Sequence, residues 1–261
     1  KKKKTIVLII GFVTIILLLV AIFLVPGEKS SESINEAMRD EVLHETNKVD
    51  LFGMSVNPGL ISAFSVTEIT LILSLIIRIF VIPRFTYVPK NLQLLLETAV
   101  GIFDNMAITS SPKRNRFLSA YIFTAGAYIF VGTLFELLGL QAVTTLNRSI
   151  TLSAPLADIN GALTMGCTSY IVILGGGIAS NGIKGVGKTL KDFSLPISMS
   201  FRLFGALLSG ALVNELVYYF SALSFVLPVV VGVMFTILHA LIQAYVLTML
   251  TSLFYGEVSG K

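Results

Sequence analysis

Late in the chain a few polar residues stand inside long apolar runs, and their types allow ion chemistry. Arg202 and Glu215 lie in the run that begins at Pro196, and Thr236, His239 and Gln243 follow at i, i+3 and i+7 in the next one. An arginine at the centre of a transmembrane helix costs about 2.5 to 3.5 kcal/mol on the mildest insertion scale. Snorkelling to the interface is the structural alternative, yet Arg202 stands roughly 15 Å along a helix from the last flanking charge, Asp192. At 100° per residue, Arg202, Ala206 and Ser209 share one face with Gly205 and Gly210 beside it, so another helix can approach the guanidinium closely. Glu215 needs a partner, a proton or water at such depth, unless it caps a bend near the outer interface. The stripe of Thr236, His239 and Gln243 has to face protein or a wet cavity rather than lipid. A lone histidine on an apolar helix is ordinarily a packing residue, although its pKa permits proton relay.

A second stretch invites a different chemistry. Gly182 to Thr189, GIKGVGKT, fits the phosphate-loop pattern G-x-x-x-x-G-K-[ST]. A working loop needs a buried strand before it, a helix after it and a downstream Asp for Mg²⁺. No Asp follows Asp192, and the later acids, Glu215 and Glu257, lie inside or just beyond apolar runs. The expectation is a flexible, basic Gly/Lys loop that binds no nucleotide, with Lys184, Lys188 and Lys191 near anionic headgroups.

Composition says what has to position these groups. Hydrophobic residues make up 54% of the 261, charged residues only 13%, and mean hydropathy is +0.86, too little polar surface for a soluble domain. An all-α integral membrane protein is expected. The net charge of +4 comes from short Lys/Arg clusters beside apolar segments, which points to orientation in the bilayer and away from nucleic acid. A single cysteine, Cys167, within an apolar run supports neither a disulfide nor a metal cluster, and no cofactor or metal is expected.

At about 20 apolar residues per crossing, six spans are expected near 5–25, 62–82, 118–140, 160–178, 196–224 and 229–254. The first follows KKKK and reads as a signal anchor, so residues 1–60 form an anchor helix with an acidic external segment, and 61–261 an ion-channel domain. Segment 28–50 is acidic, whereas Arg84, Lys90, Lys113, Arg114, Arg116, Lys184, Lys188 and Lys191 fall in the alternate connections, which puts both termini in the cytoplasm. Between spans two and three, Gln93, Glu97 and Asp104 at helical spacing read as an interfacial amphipathic helix. Pro196 and Pro228 suit first-turn positions of the last two helices, which are long enough to tilt strongly.

The blocks SMSFRLFGALLSG, HALIQAYVLTMLTSLFYGE and PLADINGALTMG, with VPKNLQLLLE ahead of them, resemble subunit a of the rotary F-type ATP synthases. The resemblance covers roughly Pro83 to Glu257. It implies a non-catalytic channel subunit in a bacterial plasma membrane, in which two offset half-channels meet a rotating ring of hairpin c subunits. Further implied partners are the peripheral-stalk b subunit, the rest of the synthase and the lipid bilayer. Arg202 is then the arginine that faces the ring, Gln243 the glutamine that hydrogen-bonds near it, and Asp158 with Asn160 a supporting pair ahead of a span. Three departures stand out: Ala206 replaces a usual Asn, Ala211 replaces a usual acid that Glu215 would supply one turn on, and Thr236 stands where His or an acid is common, with His239 one turn later. Glu136 lies where Asn is common and would be an outer-vestibule carboxylate or a partner of Arg148. Whether H⁺ or Na⁺ is carried stays open.

Two other classes fit less well. A secondary transporter with an intramembrane Arg/Glu site would show two matching halves, which the chain lacks, and an enzyme would need a catalytic constellation, whereas Asp158 with Asn160 fits a helix start equally well. The orientation is testable in a chain without Cys167. A cysteine at Ser31 is expected to react with an impermeant thiol reagent from outside the cell, and one at Ser180 only from inside. The reverse labelling pattern overturns the topology.

Overall fold

The computed structural model describes residues 11, 13, 16, 17, 20, 33, 35, 39, 49–51, 54–112, 115–139, 141–143, 149–219 and 227–260. Most of the expected first span, 5–25, and most of the acidic segment 28–50 lie outside the described residues. From Val49 onward the described residues hold seven α-helices and two small antiparallel hairpins. Strand β1 (Val49–Leu51) pairs with β2 (Met54–Val56), and β3 (Gln141–Val143) with β4 (Ser149–Thr151). The helices are α1 (Pro58–Ile76), α2 (Asn91–Ser110), α3 (Asn115–Leu138), α4 (Ile159–Asn181), α5 (Ile183–Leu190), α6 (Ser194–Tyr219) and α7 (Leu227–Ser259).

Local chemistry accounts for their ends. Asn57 caps α1, its side chain accepting from the Gly59 N–H at 3.0 Å, with Pro58 in the first turn where its missing N–H is harmless. Beyond Ile76 the backbone runs on through a π-helical turn, Ile77–Val81, and a 3₁₀ turn, Ile82–Arg84, where Pro83 cannot donate to a continuing helix. The Asp158 side chain caps α4 by accepting from the Asn160 N–H at 3.0 Å. Gly182 closes that helix at φ 57, ψ −137, a conformation open to glycine, and turns the chain into α5.

Five helices among the described residues are long and apolar enough to cross a membrane: Pro58–Arg84, Arg116–Leu138, Ile159–Asn181, Ser194–Val217 and Val229–Ser259. They correspond to the second through sixth expected spans, with shifted ends. The fifth span, α6, is described as far as Tyr219, and α7 continues past the expected end to Ser259, where Tyr255 and Val258 are both buried against the bundle. At 26 and 33 residues, α6 and α7 are about 39 and 50 Å long, more than the roughly 30 Å of hydrocarbon. Helix α2 is the expected amphipathic helix. Its Gln93 is buried, accepts from the Thr86 N–H at 3.0 Å, and donates to the Thr86 carbonyl and the Glu97 carboxylate at 2.8 and 2.7 Å.

Helix α7 packs along α3, α4 and α6 around a core of Leu118, Ile122, Ile129, Ile173, Met199, Leu203, Leu207, Ala244 and Leu247. Small residues set the separations. The Tyr255 ring of α7 lies where a Cβ on Gly176 of α4 would be, and Gly256 sits against the Ser110 carbonyl of α2. Between lipid-like surfaces close van der Waals contact and hydrogen bonds supply most of the association, so glycine at crossings is what such helices require. Hydrogen bonds reinforce them: Tyr121 Oη with Ser169 Oγ at 2.8 Å, and Asn181 Nδ2 donating to the Val258 carbonyl at 2.7 Å.

GIKGVGKT corrects one expectation: it is helix α5, not a flexible loop. Gly185 has no Cβ and meets the Gly177 backbone of α4, while Thr189 is fully buried, its hydroxyl donating to the Gly185 carbonyl at 3.0 Å and its carbonyl accepting from Tyr170 Oη at 3.0 Å. The threonine that would hold Mg²⁺ in a phosphate loop is thus spent on packing, and the preceding element is a helix. Lys184 and Lys188 point outward. Gly185→Val is expected to lower thermal stability in detergent by about 1–3 kcal/mol through overpacking. Lys188→Ala should change it by no more than about 0.5 kcal/mol and leave the isolated chain without nucleotide binding. Saturable ATP binding to the isolated chain that disappears in Lys188→Ala refutes this reading.

Candidate ion-translocation site

Helix α6 has two unlike sides. Met199, Leu203, Leu207, Gly210 and Val217 recur near the helical period and are buried against the bundle. Phe201, Arg202, Gly205 and Ser209 are exposed on the other side. A Cβ on Gly205 would meet nothing within 4 Å, Ala206 is half-buried, and the Ser209 hydroxyl turns back to donate to the Ala206 carbonyl at 2.8 Å. The guanidinium therefore stands on an open strip of small residues. Gly210, expected beside that strip, instead faces α7, because eight residues at 100° rotate it 80° from Arg202.

Helix α7 presents its polar stripe to the bundle. Thr236 and Gln243 are buried, with 3% and 6% of their surface exposed, and His239 is half-buried. The His239 ring lies 5.8 Å from that of Phe235, and a Cβ built on Gly210 would stand 3.4 Å from its Nδ1. Glycine at 210 thus lets the imidazole lie against α6. Further along the seam, Gly232 of α7 faces the Asn214 amide, with a built Cβ 3.8 Å from Oδ1. These two contacts set an antiparallel register that carries Gln243 to the level of Leu203 and Ala206, about one turn from Arg202.

Glu215 is half-buried next to Asn214 on α6, at about 20 Å from Arg202 along the axis. Glu136 is half-buried near the end of α3, while its suggested partner Arg148 lies outside the described residues. Asp158 and Asn160 are together at the start of α4, where the Asn160 amide also donates to Asp158 Oδ1 at 3.3 Å. They line a cleft of about 300 Å³ with Tyr128, Thr164 and Thr168, between α3, α4 and the start of α1. Two residues were passed over in the sequence. Asn214 is a lone amide in an apolar run, a signal as plain as Gln243 but outside any recognised block. Glu68 stands exposed ten residues into α1, on a helix with few buried positions. Among the described residues no group of three or more His, Cys, Asp or Glu side chains is placed to hold a metal ion.

Apolar helices of spanning length, packed through glycine, define a multi-pass all-α membrane protein. The family model described as ATP synthase A chain matches residues 62–256. Two proteins named ATP synthase subunit a, from two strains of Cereibacter sphaeroides, are each 26% identical over 189 residues, covering 68% of this chain and 72% of the relative. The chain belongs to the ATP synthase A chain family and is a membrane-sector component of the F-type ATP synthase.

Proposed function

We propose that the chain is the stator subunit through which H⁺ or Na⁺ passes, forming two half-channels against the rotating c-ring and itself catalysing nothing. The observation that carries this reading is the exposure of Arg202, mid-span, on a strip of α6 where Gly205 and Ser209 leave the surface low. Facing lipid, that charge is costly; facing a helix that carries a carboxylate, it is offset by a charge-assisted hydrogen bond. A passing ring carboxylate is held ionised beside the guanidinium, and an ion on either side cannot leak straight past a fixed positive charge. The charge matters because one ion moved through the membrane potential yields about 2.3 kcal/mol per 100 mV, which drives rotation only if leakage is blocked.

Gln243, buried at the level of Leu203 and Ala206, holds the guanidinium from the bundle side. Ala206 leaves that space without the family's second amide. Glu215 supplies the acid that Ala211 does not, and His239, Thr236 and Glu136 extend the polar path on the outer side. Asp158 supports it by fixing the start of α4 together with Asn160. The hairpin c subunits meet the Arg202 face and the peripheral-stalk b subunit joins elsewhere on the membrane domain, 61–261, with the anchor 1–60 ahead of it. The setting is a bacterial plasma membrane with both termini in the cytoplasm.

Arg202→Ala is expected to abolish ion-coupled ATP synthesis by the assembled complex, because truncation removes the charge while alanine suits a helix. Arg202→Lys should fail too, since an ammonium lacks the planar fork that engages a carboxylate and Gln243 together. Glu215→Gln should reduce throughput and leave coupling intact. ATP-driven ion pumping in reconstituted vesicles reads all three, and a normal rate from Arg202→Ala overturns the proposal.

A further inference from the structure

Glu68 is the one charged residue between Pro58 and Arg78, a stretch of about 30 Å of helix, the thickness of the hydrocarbon layer. It stands midway, about 15 Å from either end. Two methylenes cannot carry its carboxylate to an interface, and Arg78 is too far along the helix to pair with it. The side of α1 that meets the bundle is marked by Ser62 and Val66, both fully buried, with Val66 Cγ1 3.8 Å from a Cβ built on Gly132 of α3. Glu68 follows Val66 by two residues, 200° round the helix, and so projects away from the bundle. It is exposed, and Phe64, Leu71, Ile72 and Leu75 on the same strip are exposed with it. The neighbouring Thr67 gives it no donor, because that hydroxyl donates to the Ala63 carbonyl at 2.7 Å. Only 11% of the apolar window of this span is buried in the chain, against 28–39% for the other four.

An acid at the centre of a bilayer is costly, and such residues almost always face protein or a wet cavity. This one faces out of its own chain. We infer that the strip from Phe64 to Leu75 is covered by a spanning helix of another subunit of the synthase. That helix is apolar where it meets the strip and brings one hydrogen-bond donor, an amide or a cationic side chain, to the depth of Glu68. A carboxylate accepting from such a group forms a charge-assisted bond, which acyl chains cannot offer. A second copy of this chain does not fit, because the same face repeated would set two Glu68 carboxylates against each other. The expected first span, 5–25, does not fit either: past Thr5 its one polar side chain is Thr14, a hydroxyl that a helix satisfies at its own carbonyls. The interface goes beyond the ion-path reading. It uses neither Arg202 nor the seam between α6 and α7, and rests only on membership of a multi-subunit membrane sector.

The test uses the whole purified synthase with the photoreactive residue p-benzoylphenylalanine in place of Leu71, one turn from Glu68 on the strip. Irradiation is expected to give an adduct with a single other subunit, and mass spectrometry to map it to a spanning segment within about one turn of an Arg, Lys, Asn or Gln. Glu68→Leu in that background is expected to lower the adduct yield by about tenfold, the effect of one lost hydrogen bond to a charged group. Glu68→Gln, whose side chain still accepts, keeps most of the yield. Adducts with lipid alone, with residues 5–25 or with a second copy of the chain overturn the inference, as does an adduct on a segment without such a donor. An unchanged yield in Glu68→Leu overturns it too, since apolar contact alone would then hold the partner. Should Glu68→Leu fail to assemble, the position of the adduct in the chain that keeps Glu68 decides. ATP-driven uptake by Arg202→Ala tests the ion path separately, and its outcome leaves this interface untouched.

Discussion

Inside a bilayer there is no water to take up a backbone N–H or C=O, so each must find its partner within the chain. Helices meet that demand segment by segment, and the two hairpins of three-residue strands come before α1 and between α3 and α4 in the chain, outside the spanning helices. The same demand explains the hydroxyls of the spans. Thr70, Thr124, Thr164, Thr168, Thr248 and Thr251 each donate to the carbonyl four residues back and so cross the apolar layer already satisfied. It also makes any side chain that is not satisfied in this way conspicuous.

A second consequence concerns how the helices hold together. Burial from water drives folding of a soluble core, but a leucine gains little by exchanging lipid for another leucine. The bundle relies on close approach, which is why Gly176 takes the Tyr255 ring, Gly177 meets Gly185, and Gly256 rests on Ser110. These contacts gather at the C-terminal half of α7 and anchor it to α2, α4 and α5. Its N-terminal half meets α6 through Gly210 and Gly232, where the residues brought near are His239 and Asn214. One device, the absent Cβ, closes a dry contact at one end and opens a polar seam at the other.

Helix α6 joins the two aspects. Its buried side gives it a place against α4 and α7, and that fixed place is what holds Arg202 outward at a set depth. A guanidinium on a mobile element would snorkel to the interface and leave that depth. Under the proposed function, rigidity on one side and a low surface of Gly205, Ala206 and Ser209 on the other are what a charge that meets a moving partner and stays behind requires.

The sequence by itself determined the class, the number of crossings now found in the described region, and the polar stripe of α7. It did so because hydropathy over about 20 residues and a 100° period are local properties. Asp158 as a helix start and Gln93 on an amphipathic helix were legible for the same reason. The tertiary structure alone decided which face of α6 is covered, and with it that Gly210 serves His239 while Arg202 stays open. It turned GIKGVGKT into a packed helix, since only the backbone of Gly177, far from any pattern in that stretch, makes Gly185 a contact residue. It also left Glu68 on the uncovered side of α1, because the bundle packs against Ser62 and Val66. Periodicity reports on one helix at a time, and whether a polar atom is satisfied is settled by the neighbour that folding brings against it.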